Sequence, residues 1–448
     1  MRGVQDALAR WIADHPDEEW VVGACYDPAL LPGGVGDARW LDEVTSDRPI
    51  VLTASDGHVM WVNTRAMEIA GIDATTPEPA GGQIERRDDG SPIGALREFG
   101  ALELMERVMP PTPLEKRLAG FDVALDELRR LGIVWVQDAS VTPELLETYA
   151  ARVRTRQLTC RFNLAFRAEP GRWDGQRTGF LEGRDAFGPG SITARTIKFF
   201  ADGVIEAGTA ALLDPYVDAP DTFGLPNWTL DELTEAVSTF DADGFQVHIH
   251  AIGDAGVRTA LDAIEHASNR DGMRDRRAVI AHTQLVHPDD IPRFRELDVI
   301  ANFEPLWCQL DPSMVELTIP RLGDGRAALQ YPIGTLVRSG THVSFGSDWS
   351  VSSLDPVEGI AVAATRQDAE GQPSEGWTPD ERITIFEALS AYTAGTAYQA
   401  FDDDRSTLEP GSPADLVVLN TDITAIEPSE LWATDVELTM LEGRVVYR

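Results

Sequence analysis

Apolar residues in this chain gather into short runs that end in polar or glycine positions, and the intervals between the runs carry helix signals. Seven runs read as strands, at 132–139, 159–166, 194–200, 245–250, 278–282, 299–303 and 342–346. Helical segments between them have explicit starts: Thr112-Pro113-Leu-Glu115, Thr229-Leu-Asp-Glu232, Asp355-Pro356-Val-Glu358 and Thr378-Pro379-Asp-Glu381. Each offers a capping side chain and a Glu three residues on, often with Pro at the first helical position. Strand, helix, strand in that rhythm predicts a parallel sheet. Seven repetitions predict an α/β (β/α)8-type barrel rather than an open doubly wound sheet, and no eighth strand is visible.

Both ends of the chain depart from the rhythm. Residues 1–113 hold strand-like runs at 20–26 and 49–54 and a Pro, Gly and charge-rich loop region at 77–92, and they read as an α+β insertion over one barrel end. The barrel is expected over 114–400. Residues 401–448 contain Gly411-Ser-Pro-Ala-Asp415-Leu-Val-Val-Leu419 and a second run at 436–447 turned at Glu442-Gly443, which predicts part of a small β-sandwich.

Composition narrows the function. A chain of 448 residues holds a barrel of about 250 residues with accessory pieces. No run approaches the roughly 18 apolar residues of a membrane span, and residues 1–17 read as a polar amphipathic helix, so a cytoplasmic protein is expected. A net charge of −36 disfavours nucleic acid and anionic membranes as partners and points to a small-molecule substrate. Self-repulsion of that size is tolerable where salt screens it, which suggests a halophile-like origin. Cys25, Cys160 and Cys308 are widely spaced, so neither a disulfide framework nor a zinc-thiolate site is predicted. A homodimer is among the expected states.

The chemistry gathers at the ends of the strand-like runs. The chain has two lysines, Lys116 and Lys198, and the second sits in Thr196-Ile-Lys198-Phe-Phe-Ala-Asp202-Gly203. An ammonium among such neighbours is costly unless it is paired or chemically changed. Two readings are open: a lysine bridged to Asp202 or Glu206, or one with a chemical role. Gln246-Val-His248-Ile-His250 puts two histidines on one face of a strand. His250 at the rim is the expected ligand, while His248, one layer deeper, is either a second ligand or a hydrogen-bonded core histidine. His282 ends the next run and Asp348 the last. Barrel geometry brings Lys198, His250, His282 and Asp348 to one mouth, where they could share a divalent ion.

With these segments the chain resembles the amidohydrolase superfamily, in the family-three branch that includes N-substituted formamide deformylases. The resemblance rests on Ser55-Asp-Gly-His58 with Asn63, Gly94-Ala-Leu-Arg-Glu98, Lys198 to Gly203, His250-Ala-Ile-Gly-Asp254, Ala281-His282-Thr-Gln284, Gly346-Ser-Asp348, Thr393-Ala-Gly-Thr396-Ala and the closing Gly-Ser-Pro-Ala-Asp415 segment. It implies a metal-dependent hydrolase of amide-type, non-peptide carbon–nitrogen bonds, with one or two zinc-like ions. It also implies that Lys198 reacts with carbon dioxide to give a carbamate, that His250 and His282 hold a metal, and that Asp348 carries the proton. His58 would lie over the site as a substrate or oxyanion contact, with Trp307 and Trp349 walling the substrate pocket. Asp254 either caps the helix after His250 or orients that imidazole.

The same resemblance expects a first barrel strand with a His-x-His pair, and no histidine here stands in that context. The first metal site is therefore expected to be compromised, the barrel to lack a strand and the sandwich to lack partners. Three explanations compete: a true start upstream of Met1, an inactive remnant, or an enzyme working with a single metal on Lys198, His250, His282 and Asp348, with or without complementation by another chain. A lyase using Lys198 as a Schiff base is a further alternative, one that leaves His250, His282 and Asp348 without a purpose.

Overall fold

The sheet that carries these strand ends is open. The computed structural model describes residues 2–155, 158–187, 190–272, 274–405 and 407–448, and among them three sheets form, of five, seven and three strands. The first holds β1 (Val21–Tyr26), β2 (Ile50–Ala54), β3 (Val59–Val62), β4 (Gln83–Arg86) and β5 (Pro92–Arg97), in the order β1-β2-β3-β5-β4. Only β1 and β2 are parallel. The expected loop over 77–92 is corrected in part, because its charged residues form β4 at the sheet edge. Ile84 is the one buried residue of that strand, an alternation that keeps charge on the solvent side.

The seven-stranded sheet runs β6 (Trp135–Val141), β7 (Arg161–Arg167), β8 (Ile192–Phe200), β9 (Gln246–Ala251), β10 (Val279–His282), β11 (Ile300–Phe303) and β12 (Val343–Phe345), each strand parallel to its neighbour in chain order. Sequential order without reversal is that of a barrel, not of a doubly wound sheet. Among the described residues β6 and β12 pair on one side only, so the barrel stays unclosed. Along β8 and β9 the pleat alternates. Ile197, Phe199, Val247 and Ile249 join the main apolar core, where Phe199 meets Trp228 and Phe240. Thr196, Lys198, Gln246, His248 and His250 take the opposite face, toward the interior of the curl. Full burial of a side chain such as Phe199 stabilises by about 1.5–3 kcal/mol.

Two of the four expected helix starts hold. Thr229 accepts from Glu232 N ahead of helix Leu230–Ala242, and Asp355 accepts from Val357 N ahead of helix Pro356–Thr365. Thr112 is not the cap of helix Leu114–Arg130, which starts behind Pro113 with no side-chain cap. Thr378 sits in a left-handed conformation before a single 3-10 turn, and the helix begins later, at Ile385, with Thr384 and Glu387 forming a capping box.

The last sheet, β13 (Leu416–Leu419), β14 (Val436–Leu441) and β15 (Arg444–Tyr447), is antiparallel and turns at Glu442-Gly443. It rests on helix Leu114–Arg130 through the bond from Arg129 to the Val446 carbonyl. The five-stranded sheet shares an apolar core with barrel loops: Leu52, Val59 and Trp61 pack with Ile205, Leu212, Ile252 and Leu285. Those loop residues follow the C-terminal ends of β8, β9 and β10, so the N-terminal sheet covers the barrel mouth. No helix among the described residues is long and apolar enough to cross a membrane.

Candidate active site

Lys198, His248 and His250 leave adjacent strands on one face, because Lys198 is the register partner of His248 and Phe200 that of His250. His282 joins from β10, whose register sets it beside Ala251. The His250 and His282 rings lie edge to face with centroids 4.6 Å apart. Both are almost wholly buried.

Hydrogen bonds assign their tautomers. His282 Nδ1 donates to Glu304 Oε2 at 2.8 Å, leaving the Nε2 lone pair free. His250 Nε2 donates to the Gly203 carbonyl at 3.1 Å, with Asp202 Oδ1 at 3.7 Å, leaving the Nδ1 lone pair free. Burial first, then the neighbouring His282, His58 and Lys198, hold the His250 imidazole neutral by pushing its pKa well below the usual histidine value. Two imidazoles that each keep one ring nitrogen out of these bonds suit a divalent ion in donor chemistry. Among the described residues no three His, Cys, Asp or Glu side chains stand close enough to hold one by themselves.

Lys198 is 3 % exposed, and its Nζ lies 4.7 Å from the Phe200 ring centroid. Among the described residues it has no ion-pair partner, which removes the reading as a lysine bridged to Asp202 or Glu206. Asp202 instead accepts from the backbone N–H groups of Ala211, Ile252 and Gly253, and Glu206 accepts from the Thr318 hydroxyl. Burial lowers the Lys198 pKa to about 8, against the opposing pull of Asp348 and Glu304, so the neutral amine, though a minority near neutrality, is far more populated than in an ordinary lysine. Burial also lifts the Asp202 carboxyl to about 7, although its three backbone donors oppose the rise.

His58 reaches the site from the covering sheet. It lies in the loop between β2 and β3, with its ring centroid 5.2 Å from that of His250. Its Nδ1 bonds Glu98 Oε2 at 2.8 Å, and Glu98 is fully buried. Burial works against charge on this ring, but Glu98, Asp56 and Asp348 outweigh it and raise the His58 pKa to about 9. Glu98 Oε1 in turn accepts from Thr209 Oγ1 at 2.5 Å, tying the cover to the loop after β8. A Cβ built on Gly203 would lie 2.1 Å from Glu98 Oε1 and 2.2 Å from Thr209 Oγ1, so only glycine fits between them.

The other expected residues sort by position. Trp307 stacks on His282 at 5.4 Å and donates to Ser352 Oγ at 3.0 Å. Trp349 is 51 % exposed and Asp348 is exposed beside it at the open end of the sheet. Asp254 does not orient His250: it accepts from Leu213 N and Ala255 N at the helix start, and Asp202 is the acid beside that ring. Asp138 accepts from the Tyr149 hydroxyl. Glu98, His282 and Asp348 all have positive φ, at 63, 73 and 49°, a strained conformation for residues with a Cβ and one that collects at functional sites.

His248 is a buried hydrogen-bonded histidine with one atom left over. Its Nδ1 is 2.6 Å from Gln137 Nε2, and its Nε2 is buried with no partner among the described residues. An orphan of that kind costs about 1–3 kcal/mol. Sequence reasoning missed Gln137, Glu98 and Glu304 as site residues. Glu304 carries the signal that drew attention to Asp348, an acid directly after a buried strand, and Glu98 ends one of the quoted motifs without a role assigned to it.

Comparison with known proteins gives the chain its relatives. A family profile described as the amidohydrolase family matches residues 1–447. A putative amidohydrolase of Bacillus subtilis, YtcJ, is 28 % identical over 96 % of this chain and 80 % of its own length. The N-substituted formamide deformylase of Arthrobacter pascens is 25 % identical over 99 % of this chain and 82 % of its own. Among solved structures, an uncharacterized metal-dependent hydrolase from Pyrococcus horikoshii superposes with a TM-score of 0.72 at 24 % identity, covering 95 % of this chain and 80 % of that one.

Proposed function

The chain belongs to the amidohydrolase family, and we propose that it hydrolyses an amide-type, non-peptide carbon–nitrogen bond of a small molecule with the help of a divalent metal ion, zinc-like in its ligand preferences. One observation carries the reading: two buried imidazoles 4.6 Å apart, each with a free lone pair, beside a lysine held partly neutral. His250 and His282 would hold the ion, with Lys198, as its carbon dioxide adduct, and Asp348 supplying anionic oxygens. Such an ion supplies Lewis acidity, which polarises a carbonyl and lowers the pKa of water.

The remaining work falls to this chain's own groups. Asp348 takes the proton from the attacking water and returns it to the departing amine. His58, kept cationic by Glu98, faces the carbonyl oxygen as negative charge builds on it. Trp307, locked by His282 and Ser352, and Trp349 line the space for the substrate's apolar part. N-substituted formamides are the first substrates to assay, since a relative spanning nearly the whole chain is named for them.

The test joins metal analysis to an assay on N-formyl amines. The full chain should retain about one zinc per molecule after dialysis and lose hydrolysis on chelation, while Lys198→Ala and His282→Asn should lose most of the metal. Equal metal in wild type and both variants would overturn the reading. A second reading, a folded chain without a catalytic metal centre, is favoured by the lack of a third nearby His, Cys, Asp or Glu ligand among the described residues, and it predicts that equality.

A further inference from the structure

A chain of amides and a hydroxyl fixes the proton on His248. The Ser344 hydroxyl donates to Gln399 Oε1 at 2.6 Å, and Gln399 Nε2 donates to Gln137 Oε1 at 3.0 Å. Gln137 must therefore present its NH2 to His248 Nδ1, 2.6 Å away, so Nδ1 accepts and the ring proton resides on Nε2. That N–H is buried and has no acceptor among the described residues. The chain spans the open side of the barrel, since Gln137 lies on β6 and Ser344 on β12, the two edge strands. Few structures hold a donor so firmly toward nothing, and such an orphan calls for an explanation.

The neighbour on that face is Lys198, the register partner of His248 on the adjacent strand. We propose that His248 is the positioning residue for Lys198, its Nε2–H held by the Ser344, Gln399 and Gln137 relay to donate to an anionic oxygen carried on the lysine nitrogen. This rests on the carbamate reading above. The Lys198 amine attacks the carbon of carbon dioxide, an N–C bond forms, one C=O π pair moves onto oxygen, and the nitrogen's surplus proton leaves to solvent. The adduct has two oxygens: one accepts from His248 Nε2, and the other remains for a cation at His250 and His282. Among the described residues no carboxylate accepts from His248 Nε2: Asp202 takes three backbone N–H groups and Glu304 takes His282 Nδ1.

The experiment uses the full zinc-loaded chain equilibrated with carbon-13 bicarbonate, with the carbamate followed by carbon NMR and assigned by its absence from Lys198→Ala. Half-occupancy should need about tenfold more bicarbonate in His248→Leu, the size of effect seen when a partner behind a metal ligand is removed. His248→Gln, which keeps an N–H donor, should recover part of the loss at an unchanged melting temperature. Gln137→Leu keeps the imidazole but removes the donor that holds Nδ1 as an acceptor, so the ring proton is no longer fixed on Nε2, and it should weaken the adduct in the same direction as His248→Leu and by less. Wild-type bicarbonate dependence in both His248→Leu and Gln137→Leu would overturn the inference and leave the hydrolase reading standing. Absence of any Lys198-dependent carbamate in the wild type would overturn it together with the carbamate, while the metal analysis still judges the two imidazoles.

Discussion

The middle of the seven-stranded sheet and its two margins are built from the same kind of strand yet behave as different materials. Every residue of β9, β10 and β11 is buried, whereas six of the seven residues of β6 are half-exposed. His250 and His282 stand on strands flanked on both sides, so their rings are fixed by register, by neighbours and by one committed nitrogen each. Groups from the margins have a neighbouring strand on one side only, and Gln137 relies on a bond across the gap, from Gln399. The difference teaches that precision here comes from being between strands rather than merely at the end of one.

The sharpest way to break this contrast is at the centre. His282→Asn or Lys198→Ala should cut hydrolysis of a responsive N-formyl amine by about a hundred- to a thousandfold, as loss of one preorganised group at a reacting centre does. Asp348→Asn, if it matched them with metal content preserved, would show that the margin contributes chemistry despite its exposure. Stability should follow the same division. Phe199→Ala, beneath the site, is expected to cost about 3–5 kcal/mol in urea unfolding, against about 1 kcal/mol or less for Val136→Ala on β6.

The pH dependence of the cover sharpens it further. The His58 pKa is raised in the fold, against burial, chiefly by Glu98, so its contribution is complete below the unfolded value near 6.5 and fades as pH climbs through about 9. Metal-free wild type should therefore lose stability relative to His58→Gln across that window, and a constant difference would contradict the pairing. The smallest effects lie at helix starts. Thr229→Ala should cost about 1 kcal/mol and Thr112→Ala less than about 0.5, because only the first side chain caps a helix.

What the sequence disclosed and withheld follows the same line. The seven barrel strands were legible because each is a short, mostly apolar run bounded by polar or glycine residues, and Lys198, His250 and His282 because their polarity interrupts or ends such runs. Strand β4 was not, because an edge strand rich in charge looks like a loop until its partner is known. Glu98 and Gln137 escaped for another reason. Each matters through a contact with a residue far along the chain, Glu98 with Thr209 and Gln137 with His248, and no local pattern encodes such a pairing. Thr378 shows the converse error, a complete local capping signature set aside because the backbone there turns left-handed before a single 3-10 turn.

Gly203 carries a lesson for anyone who would transplant the cover to another barrel. Glu98 of the cover and Thr209 of the barrel loop press together through the volume that a methyl group would fill there. The three positions therefore behave as one inherited unit. A graft that brings the acid without the bare backbone opposite would be prised off the mouth, and drift at any one of them is expected to be matched at the other two.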